Sequence, residues 1–144
     1  MMGRTPTDQT WLLLFATWSV ALAATLGVLF IGEILGQAPC NLCWYQRAFM
    51  FPLTVILGIA SWRSDAAAWI YALPIALLGW LIAAFHLLLY WDVFPRAIEP
   101  CGAGPSCSGD DMVIFGFVPL PLLSLLAFTL IAAGLIALRR RLPT

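Results

Sequence analysis

The stretch AAAWIYALPIALLGWLIAAFHLLLYW, residues 66–91, contains no Asp, Glu, Lys or Arg. An α-helix rises ~1.5 Å per residue and the hydrocarbon core of a bilayer is ~30 Å thick, so about 20 apolar residues are enough to cross it. This stretch therefore predicts a membrane-spanning helix. Outward from it along the chain, three more apolar runs predict three more spans: residues 11–32, 48–62 and 112–138.

The composition agrees with a chain that lies almost wholly in a bilayer. Hydrophobic residues make up 62% of the chain and charged residues 10%, and the mean hydropathy is +0.96, which is far from the balance of a soluble domain. Four spans use most of the 144 residues. We expect an all-α integral membrane protein, a single four-transmembrane-helix bundle over residues 1–144, which is monomeric and binds no nucleic acid.

The boundaries of the spans depend on the aromatic residues at their ends. The first run is too long for the apolar segment of a cleaved signal peptide, so we expect it to be retained. The second run is the shortest and needs Trp44 and Tyr45 as interfacial residues, which brings Arg47 down to the edge of the membrane. The predicted spans are about residues 11–32, 44–62, 67–91 and 116–138, and the two short connections on the cysteine side are about residues 33–43 and 92–115.

The arginines predict the orientation. In a four-span arrangement Arg4, Arg63 and Arg139–Arg141 fall on one side, and the connections that carry the cysteines fall on the other. The first side has five arginines and two aspartates, whereas the second has two arginines and five acidic residues. Because positively charged loops are retained in the cytoplasm, we expect both termini to be cytoplasmic and both cysteine-bearing loops to face outward.

All four cysteines lie in the outward connections, as the pairs Cys40/Cys43 and Cys101/Cys107. Paired cysteines in an oxidising compartment are normally disulfides, so two structural crosslinks are one interpretation. A zinc site of four thiolates is a second interpretation, although the gap between Cys101 and Cys107 is longer than the usual spacing of zinc ligands. A redox-active pair is the third, and for this third interpretation we expect no bound metal.

The position of the first pair favours redox chemistry. Pro39 and a capping Asn41 predict that the second helix begins at or just after Cys40. Cys43 then lies in the first turn, where unpaired amides and the positive end of the helix dipole stabilise a thiolate. Arg47 follows four residues later, on the same helical face. We therefore expect a thiolate at Cys43 and a strained, labile disulfide between the two cysteines.

Three motifs carry a family resemblance: PCNLCWYQR at residues 39–47, PCGAGPSCSG at residues 100–109 and FGFVPLPLLSLLAF at residues 115–128. Together they resemble the disulfide bond formation protein B (DsbB) family of membrane thiol oxidases, and in particular its short BdbC-type members. The resemblance covers nearly the whole chain. It implies a four-helix bundle in the bacterial inner membrane that reoxidises a thioredoxin-like, DsbA-like thiol oxidase and passes the electrons to ubiquinone or menaquinone in the lipid.

The resemblance also implies a role for each matching residue. Cys43 corresponds to the cysteine that contacts the quinone, as a thiolate complex or transient adduct, and Arg47 to the arginine that holds the quinone. Cys40 corresponds to the disulfide partner of Cys43, and it also exchanges with the loop pair. Cys101 and Cys107 correspond to the pair that shuttles electrons from the partner protein, and Cys101 is the one expected to meet it.

Two further polar residues are candidate quinone ligands. His86 lies a few residues inside the outer end of the third span, and an ionisable group there indicates a functional site. It is predicted either to hydrogen-bond the quinone or relay a proton to it, or else to be a packing histidine that is hydrogen-bonded to a neighbouring helix. Gln46 either donates a hydrogen bond to the quinone or is an interfacial polar residue.

Two other functions are left open by the residues. A vitamin K epoxide reductase-like quinone reductase uses similar redox logic, but in that family the C-x-x-C motif lies near the outer end of a late span, whereas here it opens the second span. A non-catalytic membrane subunit with disulfide-stapled loops would need neither a quinone nor an arginine beside Cys43.

Overall fold

The architecture is a bundle of long helices. The computed structural model describes residues 6–95, 105, 107, 112–114 and 116–142, and the α-helices within them are α1 (Pro6–Leu29), α2 (Asn41–Arg63), α3 (Trp69–Tyr90) and α4 (Leu120–Arg141). A π-helical turn, Phe30–Ile34, follows α1, and a 3₁₀ turn, Ala66–Ala68, precedes α3. Two short strands, β1 (Val113–Ile114) and β2 (Val118–Pro119), form an antiparallel pair just before α4.

The predicted class, an all-α membrane protein, is confirmed. Together with the adjoining turns, the helices supply four segments that are long and apolar enough to cross a membrane: Asp8–Ile34, Asn41–Arg63, Ala66–Tyr90 and Leu120–Arg141. Helix α2 begins at Asn41, in agreement with the predicted start at or just after Cys40 and three residues before the predicted start of its span. Helix α4 begins at Leu120, after the predicted residue 116, because the strand pair holds the preceding residues in an extended conformation. The residues at which each helix enters and leaves the bilayer stay a prediction.

Each helix packs against two neighbours, so the bundle is closed. Helix α1 contacts α2 and α4, and α3 contacts the same two helices from the opposite side. At Gly79 a Cβ would overlap the ring of Phe128, so α3 and α4 approach closely because residue 79 is glycine. The core between the helices is apolar, and its fully buried members include Leu14, Leu53, Leu57, Phe128, Ile131 and Leu135.

The outer surface of the bundle is also apolar. Val55, Trp62, Leu81 and Leu130 are each more than half exposed, although large apolar side chains of soluble proteins rarely form such continuous surfaces. Helices satisfy their backbone hydrogen bonds internally, so they can present this surface to lipid. The exposed side chains are therefore the lipid-facing surface of a multi-pass membrane protein.

The up-and-down order of the helices gives the bundle two chemically different ends. The cysteine end contains Cys40 and Cys43, beside the C-termini of α1 and α3 and the N-termini of α2 and α4. The arginine end contains Arg63 and Arg139–Arg141. There the guanidinium carbon of Arg139 lies 5.0 Å from the centre of the Trp69 ring, a cation–π contact. The fold separates the cysteines from the basic cluster; which end faces the cytoplasm stays a prediction.

Candidate active site

The first cysteine pair lies at the start of α2. Cys40 is the N-cap residue, with an extended backbone (φ −73°, ψ 171°), and its carbonyl oxygen accepts a hydrogen bond from the amide of Trp44 at 3.1 Å. Cys43 follows in the first turn, as predicted. The predicted capping role of Asn41 is wrong, because Asn41 is already the first helical residue. Both cysteines are free thiols, and their sulfur atoms are 3.2 Å apart, within hydrogen-bond distance.

His86 lies directly behind this pair. Helix α3 runs antiparallel to α2, so its last turns reach the level of Cys40, and the His86 ring is completely buried. His86 Nε2 is 3.8 Å from Cys40 Sγ and 3.3 Å from the carbonyl oxygen of Cys107. On the other side of the ring, Nδ1 is 2.9 Å from the side-chain nitrogen of Gln46. His86 is thus a buried histidine that is hydrogen-bonded to the neighbouring helix α2, and it links Cys40 to Gln46.

Hydrogen bonding stabilises a thiolate in the reduced pair. The hydrogen bond with Cys43 lowers the pKa of Cys40 most, burial opposes this effect, and the hydrogen bond with His86 lowers it further, to about 4. The two sulfurs share one hydrogen bond, so the reduced pair holds one thiolate and one thiol, and His86 favours the charge on Cys40. The role of Cys43 as the thiolate, which the sequence predicts, stays a prediction.

A cavity of about 430 Å³ lies beside the pair, between α1, α2 and α4. Its polar lining residues are Gln37, Cys43, Gln46, Arg47 and, on α4, Ser124. His86 does not line it, although the sequence made His86 a candidate for the same ligand. The volume falls within the ~300–1,000 Å³ typical of small-molecule pockets. The apolar wall includes Ala23, Ala24 and Gly27 of α1 and Leu123, Ala127 and Leu130 of α4.

Arg47 is held at the edge of this cavity by its neighbours. Its Nη2 donates a hydrogen bond to the carbonyl oxygen of Val28 at 3.1 Å, and its guanidinium carbon lies 5.3 Å from the centre of the Trp44 ring. Gly32, in the π-helical turn, leaves room for the group: a Cβ there would lie 3.0 Å from Nη2. π-helical turns frequently occur at functional sites. The guanidinium is therefore fixed beside the cavity that Cys43 also lines.

The second cysteine pair is described only in part. Cys107 is disulfide-bonded, and it is completely buried in one cluster with Cys40, Leu42, Leu89 and Met112. Cys101, the predicted shuttle cysteine that meets the partner, lies outside the described residues. The structure thus brings Cys107 into the same cluster as Cys40, at the cysteine end of the bundle.

Three features of the site could not be predicted from the sequence. The contact of His86 with Cys40 depends on how α3 is rotated against α2, and no short motif encodes that rotation. Gln46 was a candidate quinone ligand because it lies near Cys43 in the sequence. Its hydrogen bond to His86 could not be predicted, because the two residues are 40 positions apart in the chain. Met112, which both lines the cavity and packs in the Cys40 cluster, had no sequence signal beyond being apolar.

Comparisons with known proteins agree on one family. The family profile described as "Disulfide bond formation protein DsbB" matches residues 7–138. The chain is 59% identical to a "Probable disulfide formation protein" of Metapseudomonas resinovorans, over 97% of this chain and 98% of that protein. It is 46% identical to "Disulfide bond formation protein C" of Bacillus subtilis (82% and 86% covered) and 40% identical to a "Probable disulfide formation protein" of Coxiella burnetii (85% and 84%). No solved structure matches the chain significantly.

Proposed function

Because the chain belongs to the DsbB family of membrane proteins that form disulfide bonds, we propose that it is a protein dithiol:quinone oxidoreductase. It takes electrons from a thioredoxin-like, DsbA-like thiol oxidase and passes them to ubiquinone or menaquinone. We further propose that it lies in the bacterial inner membrane with both termini in the cytoplasm, which follows from the arginines at one end of the bundle. The cysteine end then faces the compartment in which disulfides are made.

One observation carries the proposal: a redox-active sulfur and a cation line the same apolar cavity. Cys43 and Arg47 are at the cysteine end of a cavity whose remaining wall is almost entirely hydrocarbon. An apolar pocket with a few convergent polar groups suits a lipid-soluble ring with polar oxygens. Small residues on α1, namely Ala23, Ala24 and Gly27, leave room for such a ring and its chain.

The first step of the proposed reaction takes place at the loop pair. A thiolate of the reduced partner attacks the disulfide of Cys101 and Cys107, and exchange releases the partner in oxidised form. The loop dithiol then reduces the bond between Cys40 and Cys43. The burial of Cys107 in one cluster with Cys40 supports Cys107 as the loop sulfur that attacks Cys40. Cys101 is then left to meet the partner.

The second step moves a proton between the two sulfurs of the helix pair. In the reduced pair His86 favours the charge on Cys40, while Cys43 is the sulfur that lines the cavity. Transfer of the Cys43 proton to Cys40 across the 3.2 Å contact makes Cys43 the thiolate. A bound quinone supplies a two-electron, two-proton acceptor. The guanidinium of Arg47 would stabilise negative charge that develops beside it, and Cys40 closes the disulfide again. The pair supplies two electrons and one proton, and water supplies the second proton, so the products are one disulfide and one quinol.

The direct test is anaerobic turnover by the purified full-length protein. We expect one equivalent of quinol for each equivalent of partner dithiol oxidised, followed by quinone absorbance and by thiol trapping of the partner. A matched reaction without quinone should oxidise no more than one or two partner molecules per chain, because the chain has only two cysteine pairs. Continued partner oxidation without quinone would contradict the proposal.

Gly32 provides a separate test of the position of Arg47. A side chain at residue 32 must push the guanidinium away from the carbonyl oxygen of Val28. A charged hydrogen bond is worth roughly 1.5–3 kcal/mol, so we expect Gly32→Val to raise the quinone KM about tenfold or more while partner exchange stays unchanged. Leu26→Val is the control, because Leu26 is exposed on the outer side of α1 and does not line the cavity. Wild-type KM in Gly32→Val would mean that Arg47 does not hold the quinone.

A further inference from the structure

Three atoms that commonly ligate metals converge behind the cavity. The sulfur atoms of Cys40 and Cys43 and a ring nitrogen of His86 all lie within 4.8 Å of one another. The two sulfurs are 3.2 Å apart, and His86 Nε2 is 3.8 Å from the sulfur of Cys40. Around a tetrahedral zinc ion, thiolate and imidazole ligand atoms are separated by ~3.5–3.8 Å. Small side-chain rotations would therefore bring all three to ligand positions around one ion.

We propose that the reduced form of this site binds one thiophilic divalent cation, of the zinc class, through Cys40, Cys43 and His86. Two thiolates and one imidazole suit Zn²⁺ and Cd²⁺, whereas Mg²⁺ and Ca²⁺ select oxygen ligands. The cation binds the existing thiolate and replaces the proton of the remaining thiol, and no atom changes its oxidation state. The fourth position of the tetrahedron is left to water or to another small ligand.

The hydrogen bond of Gln46 to His86 is the support that such a ligand requires. A metal-bound histidine almost always has its second ring nitrogen held by a hydrogen bond, which fixes the ring and its tautomer. Here Nδ1 is 2.9 Å from the amide of Gln46, and both side chains are buried. In this geometry the amide nitrogen of Gln46 faces Nδ1; once Nε2 carries a cation, a half-turn of the amide lets its oxygen accept the hydrogen of Nδ1. Gln46 is thus a positioning residue for the metal ligand.

The burial of the site also favours the binding of a cation. Cys40 and His86 are completely buried, and two adjacent thiolates in such surroundings would repel each other strongly. A divalent cation neutralises both charges at once. Cys43 is only half-buried and lines the cavity together with Pro39, so a cation can enter from the cysteine end past these two residues.

The redox state of the pair determines whether this site exists. A disulfide contains no thiolate that could ligate a metal ion, so only the reduced pair can bind the cation. Conversely, sulfurs that ligate a cation cannot close the disulfide. Zinc would therefore hold the chain in its dithiol form and stop electron transfer reversibly. This inference needs only the reduced pair, so it does not depend on a quinone being the acceptor.

Cadmium titration of the full-length protein in detergent tests the proposal. The protein is reduced, freed of reductant without oxygen and titrated with Cd²⁺, while the ultraviolet absorption of cadmium–thiolate bonds is followed. We expect one high-affinity Cd²⁺ per chain in the reduced protein and none in the oxidised protein. Loss of outer-shell partners costs metal sites about 10–100-fold in affinity, so Gln46→Ala should weaken binding by that factor and His86→Ala by more. Leu89→Ala, a buried change in the same cluster without a ligand atom, should leave the affinity unchanged.

A second measurement needs no variant. Zinc X-ray absorption of the reduced wild-type protein should report two sulfur ligands and at least one imidazole nitrogen. Four sulfur ligands would mean that the cation binds between both cysteine pairs, and this result would overturn the role of His86. Equal uptake by the oxidised protein, or unchanged affinity in His86→Ala, would overturn the proposal as well. Each readout is independent of turnover, so a failure of the quinone proposal is seen separately.

Discussion

Replacement of Cys43 by serine should reduce quinone-dependent oxidation of the partner to the uncatalysed background. Among the described residues, Cys43 is the cysteine that lines the cavity. A serine hydroxyl can neither form a disulfide with Cys40 nor serve as a thiolate, so it removes both the nucleophile and the electron carrier. The measurement is anaerobic quinone reduction with an excess of partner dithiol.

The same variant makes a second, positive prediction. Cys40 is then the single cysteine at the start of α2, and it packs in the cluster of Cys107. A disulfide between Cys40 and the loop should therefore accumulate when the partner is added, and non-reducing peptide mapping would detect it. Cys40→Ser is the matched control: turnover should also be lost, but no such crosslink can form. Undiminished quinone reduction by Cys43→Ser would reject the assigned role of that sulfur.

Replacement of Arg47 by alanine should lower the rate of quinone reduction by about 10²–10³-fold, the usual cost of removing a donor that stabilises developing negative charge. The guanidinium is fixed at the cavity by Val28 and by the Trp44 ring, so it is already oriented before the ligand arrives. Arg47→Lys should be intermediate, because lysine keeps the charge but cannot reproduce the planar fork of donors. Stopped-flow measurement of the quinone half-reaction gives these rates.

Two controls separate this effect from a general loss of function. Exchange between the partner and the loop pair should proceed at the wild-type rate in Arg47→Ala, since Arg47 lines the quinone cavity and not the Cys107 cluster. Arg140→Ala, an exposed change at the arginine end, should alter neither half-reaction. If Arg47→Ala instead slows only the exchange with the partner, the guanidinium does not act on the quinone.

The bundle could be predicted from the sequence because hydropathy depends on the local composition of each segment. The run at residues 66–91 exceeds the length that a bilayer requires, and the structure has α3 there. The start of α2 was also predictable, since Pro39 and the apolar run after Cys43 restrict where a helix can begin. The start of α4 was harder to predict, because the two-residue strands before it are too short to leave a pattern in the sequence.

The chemistry of the site was harder to predict, because it depends on contacts between helices. The sequence correctly brought Cys43 and Arg47 to one face, since both are on α2 and four residues apart. It could not place His86 against Cys40, because this contact depends on the packing of α3 against α2. That contact favours negative charge on Cys40, the neighbour of the sulfur at which the sequence predicts the thiolate.

The wall of the cavity has a consequence for how the protein meets its substrate. Leu123, Leu126 and Leu130 of α4 line the cavity and are also 42%, 50% and 58% exposed on the lipid-facing surface. A hydrophobic substrate that enters past them arrives by lateral diffusion within one leaflet. Its effective concentration is then its mole fraction in the lipid or micelle. The apparent Kd or KM for the substrate should therefore rise with the amount of detergent, and values should be comparable only at a fixed ratio of substrate to amphiphile.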